Sequence, residues 1–356
     1  MSSRQSPPNL TLVDSTRIAR TRALAWSGDD LYASRGYELF RAKIHDLQNL
    51  AWQSVAEFRP GWLRRLSVTN CLSARLSRAG FHALAVLPSG GIVGAVPGAI
   101  VTIRPGEKRF RVTHMITRGA RPLHICAVPG GAIYWGEYFD NAARDEVHIY
   151  ASTDDGAIWN VAYTFPKGAV RHVHNIVYDR WGNCLWILTG DYGDECRVLR
   201  AACDLSTVDV VLQGKQQARA VASVPAEDAL YFSSDTPLES NHIYRLDRRG
   251  ELTQLAGISS SSIYGCRVGS QIFFSTMVEP SRTNPDPNVR IYAGDTSNPQ
   301  NWSSPLSWRK DRWPMRLFQY GNAFLPDGEN STRFLAVSTI AVESDDMATT
   351  IYSTAP

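Results

Sequence analysis

The chain has 356 residues, with 37 Lys and Arg against 34 Asp and Glu, a net charge of +3, 44% hydrophobic and 20% charged residues. A near-neutral balance with no basic tract interleaved with aromatics argues against a nucleic-acid partner. No run approaches the ~18 apolar residues of a membrane span, so no membrane partner is expected. The segment Met1–Asp14 is polar and carries Pro7 and Pro8 in place of the apolar run of a signal peptide, so a cytoplasmic location is the default expectation. Cys71, Cys126, Cys184, Cys196, Cys203 and Cys266 include no CxxC pair and are expected to be reduced thiols.

In chain order, residues 1–10 read as a flexible N-terminus and 11–356 as a single domain. Thr11–Arg17 is the expected partner of Ala348–Thr354 in closing the fold. Between them a unit of apolar strand, turn and apolar strand recurs. It begins near Ala23 and reads through Ala83–Val93, Ile125–Trp135, Asn175–Trp186 and Val221–Phe232, with further copies from Cys266 and Gly321. Downstream of these units lie second apolar hairpins, such as Val198–Ser206 before Val208–Val211 and Ile243–Gly250 before Leu252–Leu255. A period of roughly 45–50 residues matches a four-stranded blade. Long helical periodicity is absent. The expectation is an all-β fold, one seven-bladed β-propeller of four-stranded antiparallel blades. Even spacing and the lack of a linker favour it over two β-sandwiches.

One outer hairpin has a distinct signature, Ser152-x-Asp154-x-Gly156-x-x-Trp159. Ser and Asp side chains bond turn backbone, Gly supplies a positive φ, and Trp packs between sheets. This segment resembles the Asp box of BNR-type, sialidase-like propellers, with Ile158 where that box usually has Thr. The resemblance implies the propeller fold and says little of the reaction, because the Asp box sits on an outer hairpin.

Aligning the repeats brings Arg22, His82, His124, His174, Ala220, Tyr264 and Tyr320 to equivalent positions on first strands. First strands line the channel of a propeller, so these residues are expected near one mouth. His172 lies two before His174 and points to the same side of its strand. Imidazoles at such spacing suit a divalent metal, with His82, His124, His172 and His174 as candidate ligands. Taken singly, each is better explained as a hydrogen-bonded packing residue; it is three in matching register that favour a functional role. Second strands run out to Glu137, Asp191, Asp235 and Glu279 at the same end, with Asp194 and Glu195 as solvated acids. Glu137 and Asp191 are the candidate catalytic carboxylates. Arg75, Arg121, Arg144 and Arg219 are candidate clamps for a substrate carboxylate. Trp135, Tyr138, Tyr192, Tyr264 and Tyr320 are candidates for contact with a sugar face.

The histidine-rich mouth is similar in residue types to the oligogalacturonate lyase family of propellers. That resemblance implies a divalent metal beside the substrate carboxylate and a base that takes the proton α to it. His174 and His124 would then be ligands or base, and Tyr264 the proton donor. The chain also resembles uncharacterised bacterial Asp-box propellers through Trp135–Tyr138, Arg171–His174, Thr189–Asp191 and Phe318–Gly321. The expected function is cleavage of an acidic oligo- or polysaccharide by lyase-like β-elimination. A sialidase-like hydrolase, which Arg17-Ile18-Ala19 echoes poorly, and a non-catalytic glycan- or protein-binding propeller stay open beside it.

Overall fold

Seven antiparallel sheets are arranged around a central channel in the computed structural model, which describes residues 12–354. The N-terminal segment 1–10 and Thr11 lie outside the described residues. From the channel outwards, blade 1 is Arg22–Gly28, Asp30–Arg35, Glu38–Lys43 and Gln53–Glu57. Blade 2 begins at Ala83–Val86, blade 3 at Cys126–Ala127, blade 4 at Val173–Asp179, blade 5 at Ala220–Pro225 and blade 6 at Ser262–Val268. Blade 7 has Asn322–Phe324 innermost, then Phe334–Ile340 and Ala348–Thr354, with Leu12–Ala19 as its outer strand. The expected closure is present: Arg17 faces Thr350 and Ile18 faces Thr349 in an antiparallel pair. The last sheet is thus built from both ends of the described chain, which removes an open edge from the ring.

Burial follows position in the blade. The second strands Cys184–Thr189 and Ala229–Ser234 are buried at every residue, whereas the outer strands Arg111–Met115 and Val208–Gln213 are largely wet. A sheet covered on both faces needs apolar side chains on both, which is why the second strands read as continuous apolar runs. Between blades 4 and 5, Trp186, Leu188 and Val198 pack on Ala220, Leu230 and Phe232. Blades 3 and 4 approach so closely that a Cβ on Gly136 would lie 2.4 Å from the Val173 Cβ.

The Asp-box hairpin has the expected internal bonding. Asp154 Oδ1 accepts from the Ile158 amide at 2.9 Å and the Ala157 amide at 3.1 Å, and Ser152 Oγ accepts from the Gly156 amide at 2.9 Å. Gly156 has φ +81°. Trp159 is buried in the cluster that joins blades 2 and 3.

Two features lie outside the repeat. Asp327–Asn330 pairs in parallel with Arg22–Gly28 on its channel side, and packs against the inner strands of blades 2 and 6, so a fifth strand occupies part of the channel. Two short helices, α1 (Trp62–Leu66) and α2 (Cys71–Ser77), connect blade 1 to blade 2; a third, α3 (Met315–Phe318), precedes blade 7 and packs on α2. Asn70 caps α2 by accepting from the Ser73 amide at 2.9 Å. All six cysteines are unpaired. Among the described residues, no helix is long and apolar enough to cross a membrane.

Candidate metal centre and channel mouth

The mouth is made by the links that enter each first strand and the loops that leave each second strand. Residues from blades 3 to 6 meet there. His172 and His174 come from the start of blade 4, Asp191 from the end of its second strand, Arg219 from the link into blade 5, and Asp235 and Glu279 from the ends of the second strands of blades 5 and 6.

The two imidazoles are oriented by backbone. His172 Nδ1 lies 3.0 Å from the Phe139 carbonyl and His174 Nδ1 lies 2.9 Å from the Ala220 carbonyl. A carbonyl only accepts, so both Nδ1 atoms carry protons, and each Nε2 offers a lone pair when its ring carries no second proton. Those Nε2 atoms face each other 3.0 Å apart. Asp191 Oδ1 stands 3.3 Å from one and 3.5 Å from the other. All three residues are buried. Three electron-rich atoms turned towards one point repel each other unless a cation or a proton lies among them. His172, His174 and Asp191 could hold a metal ion, and they are the one such cluster among the described residues.

The surroundings are strongly charged. Arg171 Nη1 lies 3.0 Å from Asp191 Oδ2, and Arg219 Nη2 stands between Asp191 at 3.4 Å and Asp235 at 3.7 Å. Burial works against the Asp191 carboxylate, but with protons on the two Nε2 atoms their hydrogen bonds to it more than offset burial and hold this carboxyl well below the usual range; a metal ion would take the place of those protons. Burial pushes His174 down, which favours its neutral, ligating form. Asp235 is the opposite case to Asp191: burial, opposed by Arg219 and aided by the charge of Glu279, pushes its carboxyl up to about 7. Burial also raises Glu279 and Tyr138. The Tyr138 ring lies 4.3 Å from that of His172.

Several expected site residues are placed elsewhere. His82 and His124 do not join His172 and His174. They belong to a second cluster with Arg22, Tyr264 and Asp327: His124, although it enters the blade next to that of His174, is drawn to the Asp327 carboxylate of the strand inside the channel. There His124 Nδ1 lies 3.0 Å from Asp327 Oδ2, and its ring is 5.9 Å from that of Tyr264. Arg22 Nη1 is 3.4 Å from His82 Nδ1, and its guanidinium lies 3.7 Å over Phe324. Glu137 is held by Arg118 through both oxygens and accepts the His148 amide at 2.8 Å, so three of its roughly four acceptor positions are taken. Trp135 is buried between blades 2 and 3, stacked 4.4 Å from Tyr150, out of reach of a sugar. Arg75 lies on α2, buried, bonding Asp311, Asp346 and the Phe318 carbonyl. Arg144 is spent on Glu195 and the Asn141 carbonyl. Tyr320 is half-buried just ahead of blade 7, and Tyr192 is exposed beside Arg219.

Arg118 and Asp327 were not among the expected site residues. Arg22 stood in the aligned register and would have been found by weighing charge there as well as imidazole.

A comparison with protein-family models found no match, and neither did one with curated proteins. Solved structures are similar in fold. A chain of a mitotic checkpoint complex is 11% identical with TM-score 0.58 over 100% of both chains. The WD40 β-propeller domain of Doa1 is 10% identical with TM-score 0.57 over 97% of each. The Myceliophteria thermophila Cps50 (Swd1) β-propeller domain is 11% identical with TM-score 0.56, over 96% of this chain and 99% of that one. The chain is a seven-bladed β-propeller. At these identities the likeness is one of fold alone, and neighbours that include a WD40 propeller carry no specific tie to the Asp-box family.

Proposed function

We propose that this propeller is a metal-dependent enzyme acting on a carboxylate-bearing glycan. One observation carries the proposal: His172 and His174 turn their Nε2 atoms to one point beside Asp191, with both Nδ1 protons already donated to backbone. Two imidazoles and a carboxylate leave coordination positions open, as a catalytic rather than a structural site requires. A divalent ion there would neutralise the substrate carboxylate and so acidify the proton α to it.

The chain's own groups suit the remaining steps of a β-elimination. Glu279 or Asp235 takes the α proton, the electron pair forms the new double bond, the β carbon–oxygen bond breaks, and the leaving oxygen takes a proton from a neutral acid. Carboxyls raised towards neutrality are suited to proton transfer. Tyr138, beside His172, is a candidate acid or sugar contact.

The test is elemental analysis of the purified protein, followed by assay on uronate-containing polymers for the ultraviolet absorbance of an unsaturated product. One divalent ion per chain, lost from the His172→Ala/His174→Ala double variant, is expected. Metal retained by that variant removes the centre. A metal-loaded protein that yields no unsaturated product, but releases reducing ends, makes the reaction hydrolysis.

A partner-binding propeller is the second reading, favoured by a surface on the helical insertion. Trp62, Leu63, Leu66, Leu72 and Leu76 of α1 and α2 are all exposed, and contiguous apolar surface of this kind marks docking sites. Loss of glycan turnover with a folded, metal-free protein would favour it.

A further inference from the structure

Beneath α2, on the blade 1 and 2 side of the mouth, lies a cavity of about 170 Å³ whose lining includes Arg22, Arg35, Arg78, Arg121, Phe81 and Phe324. Among the described residues, no Asp or Glu lines it. Among the described residues, none of these four arginines takes part in an ion pair, in contrast to Arg75, Arg118, Arg171 and Arg219 nearby. The neighbouring carboxylate, Asp327, is engaged by His124.

Arg22 and Arg121 are both half-buried. Arg22 is fixed by its stack on Phe324 at 3.7 Å and by donating Nη2 to the His82 carbonyl at 3.0 Å, which leaves its Nε buried without a partner. Arg121 donates Nη1 to the Arg78 carbonyl at 2.8 Å. His82 Nε2 is likewise buried and unpartnered. Buried charge is normally paired, and an unmade hydrogen bond to a charged donor is costly. Burial, reinforced by the charge of Arg22, pulls the Arg121 guanidinium down to about 10, the mark of cations held together without an anion.

We propose that this cavity is a binding site for a phosphoryl dianion, held between the guanidinium groups of Arg22 and Arg121 with Arg78 and Arg35 at the rim. Two partly desolvated guanidinium groups carry two positive charges, which one carboxylate would half-neutralise and a phosphate monoester balances. Guanidinium forks match phosphoryl oxygens in pairs. The cavity is far larger than one water needs, so the phosphate can carry a small organic body against Phe81 and Phe324. The site is independent of the metal centre, which lies on blade 4.

Calorimetric titration of the full chain with inorganic phosphate, at low ionic strength, tests it. Binding is expected, at least tenfold weaker in Arg121→Gln and unchanged in Arg245→Gln, whose arginine pairs with Asp228 far from the cavity. Equal affinity in parent and Arg121→Gln, or acetate bound as tightly as phosphate, overturns the assignment. Since Arg22→Met can disturb the packing of Phe324, a second readout leaves the chain unaltered. Phosphate should protect Arg22 and Arg121 from phenylglyoxal, as read by peptide mass spectrometry. Undiminished modification with phosphate present overturns the proposal. Cobalt titration of Arg121→Gln separates the two sites, because the imidazole centre should load normally in it. A sugar phosphate binding more tightly than a nucleotide or free phosphate would name the source.

Discussion

His174 donates its Nδ1 proton to the carbonyl of Ala220, 2.9 Å away on the neighbouring blade. The contact fixes the tautomer and the ring plane before any ligand arrives, and a pinned imidazole keeps its Nε2 lone pair aimed at one point. Metal binding should therefore be linked to folding stability. Cobalt or zinc at a hundredfold excess over its Kd should stabilise the parent by about 2.7 kcal/mol. His174→Ala and Asp191→Asn should gain markedly less, read as the shift in Tm on adding metal. An equal shift in all three proteins would mean that the ion binds elsewhere.

Asp235 makes a prediction about pH. Its folded carboxyl sits up at about 7, against about 3.9 in an unfolded chain. Asp235 therefore binds its proton more tightly in the folded state, and its contribution to stability should be fully present below about pH 4 and lost as pH rises through about 7. A tenfold change in proton affinity is worth about 1.4 kcal/mol, so the slope is on the order of 2 to 4 kcal/mol across the window. Asp235→Asn keeps the shape and removes the titration. Between pH 4 and 8 the urea midpoint of the parent should fall relative to that of the variant.

The blades were legible because each repeat carries its own apolar strands and turn residues, and an equivalent position in one blade is equivalent in the next. By that logic Asp191, Asp235 and Glu279 were expected to share a mouth, and they meet around Arg219. The same logic failed for Glu137, which occupies the matching position but is captured by Arg118 from the link ahead of blade 3. It failed for the histidines because equal height around a ring does not mean contact: His174 and His124 reach different groups. Features outside the repeat were invisible. Asp327-Gly-Glu-Asn330 reads as a turn, yet it adds a strand inside the channel and takes His124 for itself. Arg75 was counted with the mouth, but lies on a helix too short to show periodicity.

The Asp-box turn should be sensitive to a single methyl. Gly156 has φ +81°, and a Cβ there would lie 2.6 Å from Thr102 Cγ2 and 2.8 Å from Val93 Cγ2 of blade 2. Gly156→Ala combines a strained backbone with overpacking, and should cost about 2–4 kcal/mol. Gly168→Ala is the matched control. It too has a positive φ, at +85°, but open space around its Cβ, so it should cost about 1 kcal/mol. Urea denaturation of the two variants side by side separates steric from conformational cost.

Blades 4 and 5 are pinned by a buried ion pair. Asp179, fully buried, accepts from Trp186 Nε1 at 2.9 Å and from the amides of Trp181 at 3.0 Å and Gly182 at 3.1 Å, and pairs with Arg248 of blade 5. Asp179→Ala strands an indole N–H, two amides and a guanidinium at once, and removing one partner of a buried pair typically costs about 3–5 kcal/mol. The pair Arg180–Glu329 is close in sequence to this pin but exposed on both sides, and Glu329→Ala should cost below about 1 kcal/mol. Because Arg248 retains some contact with water, Arg248→Met should fall between the two. Thermal unfolding in low and high salt completes the comparison: added salt should narrow the difference between Glu329→Ala and the parent and leave that of Asp179→Ala almost unchanged.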